Sequence, residues 1–136
     1  MSMECLFCKI ARDELSAYCV AETPNALAFL DNHPISEGHT LVIPKKHFES
    51  VFDIEKPILH EIMDIAKSLA LKYKHTLHVD AVNLLNASGK AAQQSIFHFH
   101  LHVVPRIPND GLNLWFHGNG QERNDLQSVY AKLASR

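Results

Sequence analysis

Residues 96–104, which read IFHFHLHVV, are the most informative stretch of the sequence, because histidine and apolar residues alternate strictly through most of it. Successive side chains of a β-strand point to opposite faces, so the pattern predicts a strand with one apolar face and one face of imidazoles. The imidazoles are those of His98, His100 and His102, at intervals of roughly 6.6 Å along the strand. We expect Pro105 to end the strand, since proline cannot donate a ladder hydrogen bond.

A row of three imidazoles on one strand face indicates function, because strand stability does not explain it. β-Branched residues fit a strand better than histidine, and each buried imidazole without a partner costs about 1–3 kcal/mol. The chain has 10 histidines in 136 residues. An isolated histidine is more typical of a structural role, which is our interpretation of His33, His60, His75, His78 and His117.

The length and composition are those of one globular domain. The 136 residues, 46% hydrophobic and 21% charged, predict a single domain over residues 1–136. The net charge of −2, without a block of like charge, argues against a dedicated DNA-binding protein and predicts no nucleic acid partner. No apolar stretch approaches the ~18 residues that span a bilayer, and the first residues lack a secretory signal pattern. We therefore expect a cytoplasmic protein without a membrane partner.

The predicted fold class is α+β, an antiparallel sheet of about five strands with one long helix. Residues 57–73 have apolar side chains at steps of three and four, the pattern of an amphipathic helix, and Pro57 suits its first turn. Short helices are expected near the two ends, at residues 5–13 and 126–133. Short β-type runs bounded by turn residues predict the other strands, at residues 18–22, 26–30, 40–43 and 81–85.

Cys5 and Cys8 have the Cys-x-x-Cys spacing at which two thiolates can bind one tetrahedral zinc ion. Alone the pair is a weak signal, since a redox pair or chance explains it equally well. A thioredoxin-type motif would follow a strand in a βαβ unit, which this one does not. His47 and His98 are sensible further donors, and four protein ligands would make the zinc structural. Cys19 has no such partner and is expected in the core.

If His98 binds metal, His100 and His102 are free for catalysis. A neutral imidazole is a competent nucleophile toward phosphorus, and a covalent nucleotidyl-histidine divides one difficult displacement into two easier ones. The preceding loop, residues 86–95, reads NASGKAAQQS and offers a glycine for close backbone approach and neutral donors for phosphate oxygens. The candidate donors are Asn86, Ser88, Gln94 and Ser95. A generic polar turn is the alternative.

Several segments together resemble the histidine-triad (HIT) superfamily of nucleotide hydrolases and transferases. HFHLHVVPR, residues 98–106, is similar to the signature of that family, and GHTLVIPKKH, residues 38–47, is similar to its second recognisable segment. CLFCKI and ALAFLD resemble its N-terminal part. The resemblance covers about residues 4–107 and leaves residues 108–136 as a C-terminal extension.

The resemblance implies a role for individual residues of the active site. His100 would be the nucleophile that takes the nucleoside monophosphate, and His102 and His39 would contact the phosphate. His102 or its neighbours would also help to protonate the leaving group. Asp31 resembles the acidic position that hydrogen-bonds the ribose hydroxyls. Apolar residues would wall the base, namely Phe7, Ile10 and Leu30.

The resemblance also implies a metal and an oligomeric state. Family members with the early Cys-x-x-Cys motif bind zinc through both cysteines, a histidine at the position of His47 and the first triad histidine. That set agrees with the ligands assembled above. With it, the chain resembles the zinc-containing bacterial type of the Hint-like branch. The family forms homodimers whose sheets join edge to edge. Trp115 either reaches the neighbouring subunit's pocket or is a surface aromatic residue.

The loop before the histidine row departs from the family pattern at three positions. Bacterial members often read NNGEAAGQ followed by Ser or Thr, and the first Asn, the Glu and the second Gly fall here at Ala87, Lys90 and Gln93. Lys90 either favours a longer anionic substrate or is an exposed lysine in a solvated loop. Gln93 restricts the backbone where glycine could approach a phosphate. We expect these changes to affect substrate preference more than chemistry.

These features predict a hydrolase that cleaves nucleoside 5′-phosphoramidates or related acyl-nucleotides through a nucleotidyl-histidine. Purine nucleotides are the expected substrates, as in the Hint branch. Three alternatives stay open: a diadenosine polyphosphate hydrolase, as in the Fhit branch, a non-catalytic zinc-stapled nucleotide sensor, and a histidine-rich metal buffer. The buffer would bind several metals per chain, whereas the ligand set above predicts one zinc.

Overall fold

The computed structural model describes residues 5–115 and 125–134, which include three α-helices and a five-stranded sheet. His117 and part of the predicted C-terminal extension lie outside these ranges. The elements in chain order are α1 (Leu6–Ala11), β1 (Cys19–Glu22), β2 (Ala26–Leu30), β3 (Thr40–Pro44), α2 (Lys56–Thr76), β4 (Ala81–Leu85), β5 (Leu101–Arg106) and α3 (Leu126–Ala134). The predicted α+β class is confirmed. Within the described ranges, no helix combines the length and the apolar character needed to cross a membrane.

The sheet is antiparallel throughout, with the strand order β1-β2-β3-β5-β4. β2 and β3 pair along their whole length. β5 enters between β3 and β4, where Leu41 of β3 stands opposite His102 of β5. This pairing brings the segment that contains His39 next to the end of the histidine row.

Helix α2 covers one face of the sheet and supplies most of the core. Its apolar residues recur at three and four positions, so one side of the helix faces the sheet while charged residues face solvent. The side chains that it buries are Ile62, Ile65, Ala66, Leu69 and Tyr73. Full burial of an aliphatic side chain contributes about 1.5–3 kcal/mol, which makes this layer a large source of stability.

The short helix α1 covers part of the opposite face, which we call the α1 face. Its Phe7 and Ile10 pack with Phe29 and Ile43 in a smaller apolar cluster. The rings of Phe7 and Phe29 meet edge to face, with centroids 5.6 Å apart. The candidate site is built on this second face, where the covering helix is short and leaves room for clefts.

The predicted strand at residues 96–104 begins later than expected, since regular pairing starts at Leu101. The backbone just before Leu101 bonds outside the sheet. The N–H of Phe99 donates to the carbonyl of Phe48 at 2.7 Å, outside the sheet. The alternation of apolar and polar residues therefore begins before the hydrogen-bonded strand does. Sequence periodicity alone does not show where strand pairing starts.

Pro105 does not end this strand, and that prediction is wrong. The strand continues to Arg106, and Pro105 stands opposite Val82 of β4. β3 pairs with β5 only as far as Val103, so beyond that residue β5 has a strand neighbour on one side only. A proline is tolerated at such an edge position because its missing N–H has no ladder partner to lose.

The prediction that Cys19 lies in the core is also wrong, since this cysteine is exposed. Cys19 begins β1, an edge strand, and the register with β2 shifts between Cys19 and Ala21. Such an irregularity breaks the alternation of inward and outward side chains on which the expectation depended.

Candidate active site and metal centre

The three histidines of the row lie on the α1 face, as the alternation predicts. The Phe7 ring meets the ring of His98 edge to face at 5.8 Å between centroids and that of His100 at 5.2 Å. The ring of His102 follows, with its centroid 5.1 Å from that of His100. The intervening apolar side chains are buried in the core beneath α2. The imidazoles therefore form one row, although only His102 lies in the regular strand.

One end of the row meets the two N-terminal cysteines. Nδ1 of His98 lies 3.4 Å from Sγ of Cys5 and 3.5 Å from Sγ of Cys8. Nδ1 of His47 lies 3.2 Å from Nδ1 of His98 and 3.3 Å from Sγ of Cys8. All four donor atoms lie within 4.8 Å of one another. We call these four residues the metal cluster.

The donor separations in the metal cluster fit a tetrahedral zinc ion. Zinc bonds of about 2.3 Å to sulfur and about 2.0 Å to nitrogen place sulfur and nitrogen about 3.5 Å apart and two nitrogens about 3.3 Å apart. The observed distances agree. Nε2 of His98 lies 2.8 Å from the carbonyl oxygen of Pro44 and must donate to it, which leaves the Nδ1 lone pair for a metal.

The electrostatics of the metal cluster point the same way. Burial raises the pKa of the Cys8 thiol to about 11, since it penalises an isolated thiolate. Burial also lowers the pKa of His98 to about 4, so the ring is neutral at physiological pH. A dication would supply the positive charge that stabilises a buried thiolate, and a neutral imidazole is the form that binds it.

Backbone groups hold His100 in one orientation. Its Nδ1 lies 2.8 Å from the carbonyl oxygen of His98, which can only accept, so Nδ1 carries the proton. In a neutral ring Nε2 then has the lone pair, which is the form that a nucleophile requires. The amide of Asn86 donates from Nδ2 to the carbonyl of His100 at 2.9 Å and steadies the backbone there.

Asp31, His39 and His102 form a second group of donors, which we call the relay cluster. The N–H of Ile35 donates to Nδ1 of His39 at 3.2 Å, so a neutral His39 has its proton on Nε2. That Nε2 lies 2.9 Å from Nδ1 of His102 and 3.5 Å from Oδ2 of Asp31. His39 therefore donates to His102, whose own proton is left on Nε2.

Burial keeps the two histidines of the relay cluster neutral. It lowers the pKa of His39, against the opposing effect of the Asp31 carboxylate. Burial, together with the neighbouring His100 and His39, lowers the pKa of His102 to about 4. Each ring then has one N–H and one lone pair at physiological pH, so the order of donors and acceptors that begins at Ile35 is maintained.

The loop before β5 uses one buried amide to hold its shape. Gln94 is 6% exposed, and its Oε1 accepts a hydrogen bond from the N–H of Gly89 at 2.7 Å. Its Nε2 donates to the carbonyls of Glu49 and Ile96 at 2.6 and 3.1 Å. Both amide hydrogens are engaged, so in this arrangement Gln94 shapes the loop and has no free N–H for a phosphate.

Asn86 and Ser88 are also engaged within the loop. The Ser88 hydroxyl donates to Oδ1 of Asn86 at 2.7 Å and accepts from the N–H of Val51 at 2.9 Å. Together with the bond from Asn86 to the His100 backbone, these contacts link the loop to the catalytic histidine candidate.

Gly89 and Gln93 of this loop have positive φ angles. Gly89, at φ 98 and ψ 154, adopts a backbone region that is essentially restricted to glycine. Gln93, at φ 70 and ψ 27, adopts the left-handed conformation, which costs an ordinary L-residue roughly 1–2 kcal/mol. A left-handed backbone is also the physical reason for a glycine at this position. The present chain has a long polar side chain there instead.

Two clefts open beside the row and share Asp31, His33 and His102. The first cleft has a volume of about 290 Å³ and contains His100, with Ser95 in its lining. Its apolar wall consists of Leu6, Phe7, Ile10, Phe29, Leu41 and Ile96. A wall of this kind suits a planar aromatic base.

The second cleft has a volume of about 420 Å³ and adjoins the first at His102. It is lined by His39, Asn86 and Gln93 among others, and not by His100. Among the described residues, no lysine or arginine lines this cleft, and its carboxylate is that of Asp31. Lys90, which departs from the family pattern, is exposed and lines neither cleft.

Sequence reasoning was wrong about Leu30 as part of the base wall and missed three features of the site. Strand β2 places Phe29 on the α1 face, so alternation along the strand directs Leu30 to the opposite face, and Leu30 does not line the first cleft. Counting back two residues from Asp31 could have identified Phe29. His33, which we interpreted as structural, lines both clefts, and the N–H of Ile35 sets the His39 tautomer. No sequence signal identifies a backbone donor of that kind.

Comparison with known proteins agrees with the resemblance noted in the sequence. Residues 12–109 match the family model described as HIT domain. The chain is 41% identical over 133 residues to the adenosine 5′-monophosphoramidase of Saccharomyces cerevisiae, a match that covers 97% of this chain and 82% of the yeast protein.

Solved structures show the same fold. A HIT family protein from Bacillus anthracis superposes with a TM-score of 0.86 at 36% identity, covering 97% of this chain and 96% of that one. A zinc-bound histidine triad family protein from Mycobacterium smegmatis superposes with a TM-score of 0.79 at 38% identity, covering 84% and 83%. The chain therefore belongs to the HIT domain family.

Proposed function

We propose that this protein is a nucleotide hydrolase of the Hint-like branch that cleaves nucleoside 5′-phosphoramidates and related acyl-nucleotides. One observation carries the proposal: Nε2 of His100 has a lone pair, while Nε2 of its neighbour His102 has a proton. A nucleophile and a proton donor side by side are what displacement at phosphorus requires. The similarity to the yeast adenosine 5′-monophosphoramidase supports the same substrate class.

The nucleoside would bind in the first cleft, with a purine base against its apolar wall. Asp31 lies at the polar side of this cleft, and its Oδ1 already accepts the N–H of His33 at 2.8 Å. A carboxylate has about four acceptor sites, so capacity remains for the ribose hydroxyls. The α-phosphate would then lie between Ser95, His100 and His102.

In the first step, Nε2 of His100 attacks the α-phosphorus and the phosphorus–nitrogen bond to the leaving amine breaks. The amine nitrogen takes the proton from Nε2 of His102. Nδ1 of His100 keeps its proton, which is hydrogen-bonded to the His98 carbonyl, so the phosphorylated ring is cationic. This positive charge offsets the negative charge left on His102. The product is a covalent nucleotidyl-histidine.

In the second step, water attacks the same phosphorus and the bond between phosphorus and His100 breaks. One proton of the water restores His102, and the other stays with the nucleoside monophosphate. Both histidines return to the neutral tautomers of the first step. His39 is a positioning residue here, because its N–H holds His102 in the tautomer that can donate.

The second cleft favours an amine over a polyphosphate as leaving group. An in-line displacement expels the leaving group away from His100, toward a cleft that has His102 in its lining and lacks His100. A polyphosphate there would meet the Asp31 carboxylate and, among the described residues, no lining lysine or arginine. We therefore prefer phosphoramidates to diadenosine polyphosphates.

We further propose that the metal cluster of Cys5, Cys8, His47 and His98 holds one structural zinc ion. The donor separations support this, as does the zinc-bound relative from Mycobacterium smegmatis. The ion would tie α1 and the His47 segment to the start of the histidine row. Four protein ligands complete a tetrahedral shell, so its contribution would be to hold His98 and the adjoining backbone.

A cytoplasmic homodimer without nucleic acid or membrane partners is part of the same proposal. β4 is an edge strand, and its Val82 and Leu84 are 38% and 40% exposed. Pairing of two β4 edges would cover these side chains and join the sheets. Sedimentation of the native chain and of Leu84→Lys tests this: a dimer that becomes a monomer in the variant is expected, and a native monomer contradicts it.

Mass spectrometry of a quenched reaction tests the enzymatic proposal. Adenosine 5′-phosphoramidate is mixed with the protein, the reaction is stopped in alkaline denaturant, and the peptides are sequenced. We expect one adenosine monophosphate on His100. His100→Gly should lose both the adduct and ammonia release, whereas the exposed His75→Gly should retain them.

Two outcomes would contradict this function. Binding of adenosine monophosphate without turnover, with His100→Gly indistinguishable from the native chain, would favour the nucleotide sensor. Faster cleavage of diadenosine tetraphosphate than of the phosphoramidate would favour the polyphosphate hydrolase.

A further inference from the structure

We infer that Gln93 selects the leaving group, through hydrogen bonds from its side-chain amide to a polar substituent on the released amine. The inference rests on the proposed function, because it takes the second cleft as the leaving-group site. It adds a substrate preference: phosphoramidates whose amine carries a carbonyl or amide group beside the nitrogen-bearing carbon.

The position of Gln93 places it where such a substituent must lie. The leaving nitrogen has to approach the Nε2 proton of His102, which stands where the two clefts meet. Atoms attached to that nitrogen then extend into the second cleft. Gln93 lines this cleft, and the described lining includes the Asp31 carboxylate but no lysine or arginine. A neutral carbonyl or amide on the leaving group would therefore meet the carboxamide of Gln93 and no cationic side chain of the described residues.

The amide of Gln93 is free to bind, unlike its neighbours. Asn86 and Gln94, the other carboxamides of the loop, are engaged with His100, Ser88, Gly89 and the backbone. Gln93 is exposed, and its side chain makes no hydrogen bond within residues 5–115 and 125–134. A carboxamide both donates and accepts, which matches a carbonyl or amide on the substrate.

The backbone of Gln93 supports a functional reading of this side chain. At φ 70 the position favours glycine, and the glutamine that stands there makes no side-chain hydrogen bond in the described chain, although its N–H donates to the carbonyl of Lys90 at 2.9 Å. Strained residues that persist beside a reaction centre are often part of its function. The strain and the free amide are two separate observations on the same residue.

Two substrates of nearly the same shape test the inference. They are the adenosine 5′-phosphoramidates of glycinamide and of isobutylamine. The carboxamide group of the first amine takes the place of the isopropyl group of the second, which has nearly the same shape. The measured quantity is the ratio of their kcat/KM values, so that a general change in activity cancels. We expect Gln93→Ala and Gln93→Gly each to lower this ratio by about tenfold, roughly the effect of one lost hydrogen bond.

The two variants separate the amide from the backbone. Gln93→Gly relieves the positive φ and should raise Tm, whereas Gln93→Ala keeps that backbone strain and should not. Ala91→Gly is the matched control: Ala91 is exposed, lies in the same loop and lines neither cleft. It should keep the native ratio.

The outcomes distinguish this inference from the function on which it rests. A native kcat/KM ratio in both Gln93 variants, or a lower ratio in Gln93→Gly alone, overturns the inference. The proposed function stays intact in that case if the native chain hydrolyses both substrates. A native chain that cleaves neither substrate overturns both. A lower ratio in both Gln93 variants, with the native ratio in Ala91→Gly, supports the inference.

Discussion

The metal cluster and the relay cluster contain similar donor atoms, yet they are prepared for different chemistry. In the metal cluster, Nε2 of His98 donates a hydrogen bond to the Pro44 carbonyl, so the lone pair on Nδ1 faces the cysteines. In the relay cluster, the N–H of Ile35 occupies Nδ1 of His39, so a proton stands on the nitrogen that faces His102. A metal would need the lone pair that this proton occupies.

In both clusters, the hydrogen bond at the histidine nitrogen that points away from the cluster determines whether the other nitrogen has a proton or a lone pair. Where one ring nitrogen donates to a backbone carbonyl, as at His98 and His100, the other nitrogen has a lone pair and can bind a metal or act as a nucleophile. A backbone N–H behind the ring prepares a proton donor, as at His39. The two clusters thus predict one zinc per chain, although both contain two histidines and further donors.

The largest effect is expected from removing a ligand of the metal cluster. Cys8→Ala should reduce zinc from one equivalent per chain to none and destabilise the fold by on the order of 5 kcal/mol, since binding energy of a structural zinc is folding energy. Elemental analysis after dialysis and thermal unfolding measure this. Cys19→Ala, a change at an exposed cysteine, should keep both values. A folded, metal-free native chain would remove the zinc proposal.

A change in the relay cluster should affect activity and leave the metal in place. His39→Leu, which has no side-chain donor, should lower kcat/KM for adenosine 5′-phosphoramidate by about 10²-fold, because His102 loses the donor that fixes its tautomer. Nitrogen-15 NMR of the His102 ring should show a mixture of tautomers in the variant. Zinc content should stay at one equivalent. Loss of zinc in this variant would mean that the two clusters are not independent.

The relay cluster should also lower stability in acid. His102 has a pKa of about 4 in the folded chain against 6.5 as its ordinary value, so between these values the unfolded chain binds a proton that the folded chain does not. Stability therefore falls as pH falls, by roughly 2 kcal/mol between about pH 7 and about pH 5 from this residue alone. Urea unfolding should show a smaller loss in His102→Asn. An equal loss in both chains would contradict the prediction.

The smallest effect concerns the backbone N–H that distinguishes the two clusters. Ile35→Pro removes this donor, so His39 can place its proton on Nδ1 and present a lone pair to the cluster. We expect activity to fall by about tenfold, the effect of one lost hydrogen bond, and a second zinc equivalent to bind when zinc is in excess. Ile35→Ala, which keeps the N–H, should bind one. One equivalent in both variants would show that the backbone donor does not exclude the metal.

Much of this arrangement could be predicted because it depends on local periodicity. Alternation through residues 98–103 placed the imidazoles on one face, and the three and four residue steps of 57–73 predicted α2. The pairing of Cys5 and Cys8 with His47 and His98 followed from zinc's preference for four donors, and the fold brings these residues together. Cys19, Leu30 and Pro105 were predicted wrongly. For Cys19 and Pro105 a neighbouring strand, through its register or its end, decided the environment, and for Leu30 the alternation along β2 did.

The order of residue types settles which side chains are present at the site and which face of the sheet they share, since side-chain periodicity is a property of the backbone. What each imidazole can do depends on contacts that form when distant parts of the chain fold together. The Pro44 carbonyl lies 54 positions from His98 in the chain, and His39 lies 63 positions from His102. Contacts of such long range, many of them with backbone atoms that every residue has, leave no mark in the pattern of residue types.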